Sequence, residues 1–354
     1  MGKSNLILLY SCILVSYSCH KNNVAQQDAQ PDVYLAGFER MSGVTTATYW
    51  KNGIPVHLSE GSRYAEAHAI TVSGNDVFVA GFEVIDNEPY NVATCWKNGV
   101  VLPFASGKTW GEANSIVVSG NDVYVAGTVP SFYSYNLDGT TAVYWKNGVR
   151  VDLTTDTIGS AGASIAVSGN DVYVTGTKFN KHYDAPTYWK NGVSVMLTDG
   201  MSDPDTVTGF ASGIAVSGND VYVTGRYGAD PMVWKNGTAA LLTDIGSYSI
   251  QPTDIALSGN DVYVSGVSNV TGSAGNFPKA IYWKNGAPLS LSSPPVSGMI
   301  NSIAVAGNDV YAAGELSNLG LGGAAGKYWK NGIPVATIDS TSSAYIKSIF
   351  VANK

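Results

Sequence analysis

Few residues of this chain combine in patterns that suggest chemistry. Of its four histidines (His20, His57, His68 and His182), His68 with nearby Glu66 forms the pair resembling acid–base chemistry. Residues two apart in a strand point to one side, so both side chains would share a face. The scatter of the others over the chain argues against a histidine metal cluster. There is no HExxH, no CxxC pair, no Asp-x-Asp-x-Asp-Gly calcium loop, no P-loop and no dinucleotide fingerprint. No metal and no cofactor are therefore expected. Of the cysteines, Cys12 and Cys19 lie near the start, and Cys95 stands where sister segments carry tyrosine or valine (Tyr49, Tyr144, Tyr188, Val233, Tyr282, Tyr328). Cys95 reads as a core substitution rather than a nucleophile, and no disulfide framework can form.

Binding chemistry has more material. Aromatic residues fall in variable segments at Tyr90, Trp110, Phe132, Tyr133, Tyr135, Phe179, Tyr183, Tyr227 and Tyr248, with Glu39, Arg40, Arg63, Glu83, Asp184, Arg226 and Glu315 as charged companions. Tyrosine and tryptophan beside polar groups suit a sugar or peptide ligand, and they also serve simply to cover loops. A second set recurs two positions before a repeated isoleucine: His68, Asn114, Ala163, Ser212, Thr253, Asn301 and Lys347. Six of these seven are polar, which fits a ring holding a small ligand, an ion or ordered water.

These residues are placed by a repeat. YWKNG-type phrases carry Trp50, Trp96, Trp145, Trp189, Trp234, Trp283 and Trp329, spaced 44 to 49 residues apart, and six SGNDVYV-type phrases alternate with them. That period belongs to propeller blades or stacked arrays. In one copy, strand A is Ser164 to Ser168, and Gly169-Asn170 is a Gly-first hairpin loop. Strand B runs from Asp171 to Thr175 and is ended by Gly176. Strand C is Thr187 to Lys190, Asn191-Gly192 is a type I′ signal, and strand D is Val193 to Leu197. Four antiparallel strands per repeat describe a blade. The segment from Asp32 to Gly37 is a strand B with no A before it, whereas Ile346 to Val351 is an A with no B after it. Together they complete a seventh blade, so the fold expected is an all-β, seven-bladed propeller closed by its two ends.

Position within a blade follows from composition. Proline recurs in strand D (Pro55, Pro288, Pro334), which makes D the outer edge. Strand A, built of small residues, suits the crowded axis, and the repeated Trp should pack between blades. The A–B and C–D turns are constant in length. The B–C segments run from nine residues (Gly225 to Trp234) to 18 (Gly127 to Trp145), and the D–A connections vary too. All length variation thus falls on one face, the natural place for binding groups. His68, Asn114, Asn301, Lys347, Tyr90, Trp110, Tyr133, Tyr183 and Tyr227 are its candidate ligand contacts, and no catalytic residue is assigned.

Composition closes off other classes. Net charge is −7 with no basic run, so phosphate neutralisation has no source and nucleic acid is not an expected partner. Residues 1–18 read as an export signal too short to span a membrane. Ser16-Tyr17-Ser18-Cys19 resembles a bacterial lipobox, with Cys19 the lipidated residue, 19–31 a polar tether and 32–354 the propeller. The SGNDVYV and WKNG phrases resemble repeat lipoproteins of Bacteroidota. That resemblance implies a propeller in the cell envelope, tied to the membrane (the outer one is expected) by lipid only, and it brings no activity or catalytic residue. The expected role is a non-catalytic binding or scaffolding module for a glycan or envelope protein. An extracellular polysaccharide hydrolase or lyase using His68 and acidic loop residues is the alternative.

Overall fold

The computed structural model describes residues 30–41, 43–59, 64–85, 91–103, 110–130, 139–154, 159–179, 182–198, 207–243, 247–272, 275–292, 296–318, 324–335 and 343–352. These form seven four-stranded antiparallel sheets, each ordered A-B-C-D. Six blades are continuous in sequence. Blade 1 is closed by pairing Ser343–Ala352, its strand A, with Asp32–Met41, its strand B. Each A strand touches the A strands of both neighbouring blades, so A is innermost and D is the rim.

Turn chemistry fixes the hairpins. Asn52, Asn98, Asn147, Asn191, Asn236, Asn285 and Asn331 all sit at φ 49–51°, each followed by a glycine near 81–84°. This is the double left-handed geometry of a type I′ turn, and its twist matches the strands it joins. In the Gly-Asn turns only the glycine is left-handed, at 57–60°, as a Gly-first loop requires. The expected loop types are the observed ones.

The core is divided among the seams between blades. All seven repeat tryptophans are fully buried, at 0–1% exposure. Trp189 of blade 4 packs on Tyr124, Ala126, Ala142 and Leu153 of blade 3, and Trp96 of blade 2 on Tyr34, Ala36 and Tyr49 of blade 1. A buried Trp removes on the order of 200 Å² from water, roughly 5 kcal/mol of transfer free energy. Packing between neighbours is thus what these residues contribute. The rim carries the opposite pattern: Ile54, Val100, Val149, Val193 and Ile333, each opening a D strand, are 68–70% exposed.

One local feature departs from the expected blade. Strand B does not end at its glycine: in blade 4 it runs Asp171–Phe179 through Gly176 and stays paired with strand A, Ser160–Ser168. In all seven blades the A–B register slips by one residue opposite this glycine, which marks a β-bulge. The glycine is demanded by the bulge. A Cβ on Gly176 would lie 1.9 Å from the Ala161 carbonyl oxygen, and one on Gly37 1.8 Å from that of Tyr345.

Candidate functional site

The face carrying the A–B and C–D turns is chemically uniform. At every blade the Asp opening strand B accepts a hydrogen bond from the turn Asn (2.7–2.9 Å) and an ion pair from the Lys ending strand C (2.7–3.3 Å). The same Asn accepts from the N–H following the Asp, at 2.8–2.9 Å. The Lys ammonium rests over a Tyr or Phe ring at 5.1–5.5 Å. Lysine first, then asparagine, holds Asp76, Asp122, Asp171, Asp220, Asp261 and Asp309 below the usual carboxylate range. Every group here has its partner within the blade. The repeated phrases are stitching.

The opposite face is built on the bulges. The bulged residues, left out of the A–B register, are His68, Asn114, Ala163, Ser212, Thr253, Asn301 and Lys347, the ring singled out in the sequence. Much of their polarity links blades. Asn114 Nδ2 donates to the Gly162 carbonyl (2.8 Å), Ser212 Oγ to Pro252 (2.9 Å), Thr253 Oγ1 to Ile300 (2.7 Å) and Asn301 Nδ2 to Ile346 (2.6 Å). Each carbonyl belongs to the residue preceding the next blade's bulge. The following residue adds a second tier: Ser115, Ser302 and Ser348 hydroxyls accept the N–H of the next blade's isoleucine at 3.2–3.4 Å. Asp254 does so from blade 6 at 3.1 Å and also accepts from Ser302 Oγ at 2.8 Å. Burial pushes the Asp254 carboxyl up, against these donors.

The ring departs from this rule at His68, Ala163 and Lys347. His68 Nε2 lies 3.4 Å from Glu66 Oε2, and its Nδ1 3.2 Å from Asn114 Oδ1. The expected Glu66–His68 pair is therefore formed. Tyr64 donates its hydroxyl to Glu66 Oε1 at 2.6 Å. Burial raises the Glu66 carboxyl, but hydrogen bonds from His68 and Tyr64 and the nearby Lys347 charge outweigh it and leave it below the usual range. Glu315 goes the other way: burial lifts it, against Lys347, Asn301 and the Ile346 N–H. Asn301 Nδ2 reaches both Glu315 oxygens at 3.1 and 3.2 Å.

Two recesses open beside this ring. A cavity of about 700 Å³ spans blades 2 to 4, with Asn114, Ala163, Asn91, Glu112, Thr128 and Thr140 in its wall. Asn91 Nδ2 donates to Glu112 Oε1 at 2.8 Å. Ala163, the apolar member of the ring, leaves open space there, and Gly162 lets blade 4 approach blade 3: a Cβ on it would meet the Gly127 carbonyl at 2.6 Å. Trp110 bridges to Val92, so it sits beside the lining residues Asn91 and Gly111, and it is 42% exposed. A cleft of about 390 Å³ is lined by Arg40, Glu66, Glu315 and Lys347 with Phe38 and Tyr345.

The sequence candidates divide accordingly. Asn114 and Trp110 meet at the larger recess. Lys347 lines the smaller one, where Asn301 anchors Glu315, and His68 stands between the two through Asn114 and Glu66. Tyr227 is not an open contact: at 7% exposure it packs with Leu197, Met232 and Trp234 in the seam between blades 4 and 5. Tyr183 is half-buried beside strand C of blade 4. Arg226 lies over the Phe210 ring, and Glu39 accepts a 2.9 Å contact with His57. Tyr90, Tyr133, Phe132, Tyr135, Arg63, Cys19 and the side chain of Tyr248 lie outside the described residues. Cys95 is fully buried and its thiol is pushed up to about 12, which removes it as a nucleophile.

Glu112, Asn91, Thr128, Thr140, Phe38 and Tyr345 escaped sequence reasoning. A signal existed for two of them. Two positions before the bulge the copies read Glu66, Glu112, Ala161, Phe210, Gln251, Met299 and Tyr345, a column of strand A as varied as the bulge itself.

No protein-family model matches the chain, and no curated protein matches it. Among solved structures, it is similar to the computationally designed Ika8 protein at 17% identity, over 93% of this chain and 98% of that one, with a TM-score of 0.44. It is also similar to TolB from Acinetobacter baumannii (13% identity, 91% and 67% covered, TM-score 0.48). A Pyrococcus horikoshii acylaminoacyl peptidase gives 12% identity and a TM-score of 0.48, over 88% of this chain and 52% of the peptidase, about half its length. These sequences share too little with this chain for any residue's role to be carried over.

Proposed function

We propose that this chain is a non-catalytic binding propeller that takes a glycan on the face of its B–C and D–A loops. The observation that carries the reading is the recess across blades 2 to 4. Its wall offers an amide and carboxylate pair, a second amide and two threonines among small apolar residues, with a half-exposed indole alongside. Hydroxyl-rich ligands need such a mixture: donors and acceptors in fixed places, and an aromatic face for the C–H side of a sugar ring. A glycan array probed with the full chain tests it. Retention of an oligosaccharide that Trp110→Ala or Asn91→Ala abolishes is the expected result. No retention on any glycan would favour a protein partner instead.

A hydrolytic reading has one observation in its favour. Glu66 and Glu315 face one cleft with their protonation pulled in opposite directions, the condition for an acid and a base to coexist. Turnover of a glycan, lost in Glu315→Gln or His68→Ala, would replace the binding reading. Attachment to the cell envelope through a lipid on Cys19 belongs to the same proposal and is supported by residues 16–19. Palmitate labelling of the wild type, absent from Cys19→Ser, is the outcome expected.

A further inference from the structure

The smaller cleft differs in charge from the larger recess. Arg40 is exposed there, its guanidinium over the stacked Phe38 and Tyr345 rings at 5.4 and 5.1 Å. Among the described residues no carboxylate forms an ion pair with it. Lys347 adds a second cation, 5.6 Å above the Phe38 ring. Of the two acids lining the cleft, Glu66 is already engaged by His68 and Tyr64, and Glu315 by both bonds from Asn301. In a chain of net charge −7, two cations here face two carboxylates, and Arg40, which also meets the Tyr64 hydroxyl, keeps guanidinium N–H groups without a carboxylate partner among the described residues; the cleft's 390 Å³ is the size of a small-molecule site.

We infer that this cleft binds the carboxylate of an acidic sugar, a uronic acid residue of the glycan. Arg40 serves as the bidentate fork and Lys347 as the second charge. The inference rests on the glycan reading above and adds the ligand's acidity to it. A planar fork matches a planar carboxylate with two parallel hydrogen bonds, which a lone ammonium cannot do. The ring pair beneath Arg40 limits its motion, so little freedom is lost on binding.

Isothermal titration of the full chain with trigalacturonate, its uncharged methyl ester and a sulfated neutral trisaccharide decides the matter. The acid should bind about tenfold more tightly than the ester, because its charge meets a charged donor pair. Added salt should narrow the gap. Arg40→Gln should lower the acid to about the ester's affinity, with a smaller effect on the ester, whose carbonyl can still accept from the glutamine amide. Should Lys347→Met prove to melt early, Arg40→Gln still decides, since its side chain is exposed. Equal binding of acid and ester, or a preference that survives Arg40→Gln, overturns the inference while the glycan reading stands. Tighter binding of the sulfated sugar than of the acid overturns the carboxylate assignment. Binding of none of the three overturns the inference, and the glycan reading falls with it only if the array also retains nothing.

Discussion

On one face of this propeller every blade repeats a single arrangement, an aspartate held by the turn asparagine and by a lysine that lies across an aromatic ring. On the other, the same strands end beyond bulges whose residues change from blade to blade: His68, Asn114, Ala163, Ser212, Thr253, Asn301 and Lys347. The first face satisfies its polar groups internally and closes its turns at fixed length. The second has two recesses, an exposed indole and a guanidinium without a carboxylate partner among the described residues. Repetition marks where each blade's hairpins are held together, and departure from it marks where the proposed ligand would be recognised.

That contrast can be broken by substitution. The largest effect is expected from the seam: Trp189→Ala should cost about 3–5 kcal/mol in denaturant unfolding, the range for emptying a packed aromatic site. Gly176→Ala comes next, about 3 kcal/mol or more, because its Cβ would meet the Ala161 carbonyl and the bulge must shift. Asn191→Ala should cost about 1–2 kcal/mol, through a left-handed φ and two lost hydrogen bonds. Acid should act on the stitched face through the six depressed aspartates. Carboxylates with lowered folded pKa values stabilise above the unfolded value near 3.8, and lose that contribution as pH falls through the folded values. The melting temperature should therefore drop below about pH 4, and less steeply at high salt, since these pairs are exposed. A flat profile from pH 5 to 2 would remove the ion pairs from the account.

Much of this was legible in the amino-acid order. The Trp spacing and the complementary half-blades determine seven blades. Asn-Gly and Gly-Asn fix their turns, and prolines 55, 288 and 334 mark the rim. The polar column before the isoleucine was readable, and so was the Glu66–His68 pair. The bulge was not. A glycine followed by more β-forming residues looks like a strand end until a carbonyl is seen pressing on it, and that carbonyl belongs to another strand of the blade. Tyr227 looked like a loop aromatic for the same reason: its burial depends on Leu197 and Trp234, neither adjacent in sequence. The recess across blades 2 to 4 joins Asn91, Glu112, Thr140 and Ala163 from three blades, and only their packing brings them together.

The most direct test of the division between the two faces is glycan retention by the full chain, compared between wild type and Trp110→Ala with both proteins fully folded. Trp110 lies on the variable face and is 42% exposed; because the rest of its surface is covered, its loss can also lower stability, so retention is read well below the melting temperature of both proteins. The account predicts a glycan bound by the wild type and released by the variant. Undiminished retention by Trp110→Ala, or loss of retention in Asn191→Ala on the stitched face with the fold intact, would contradict it.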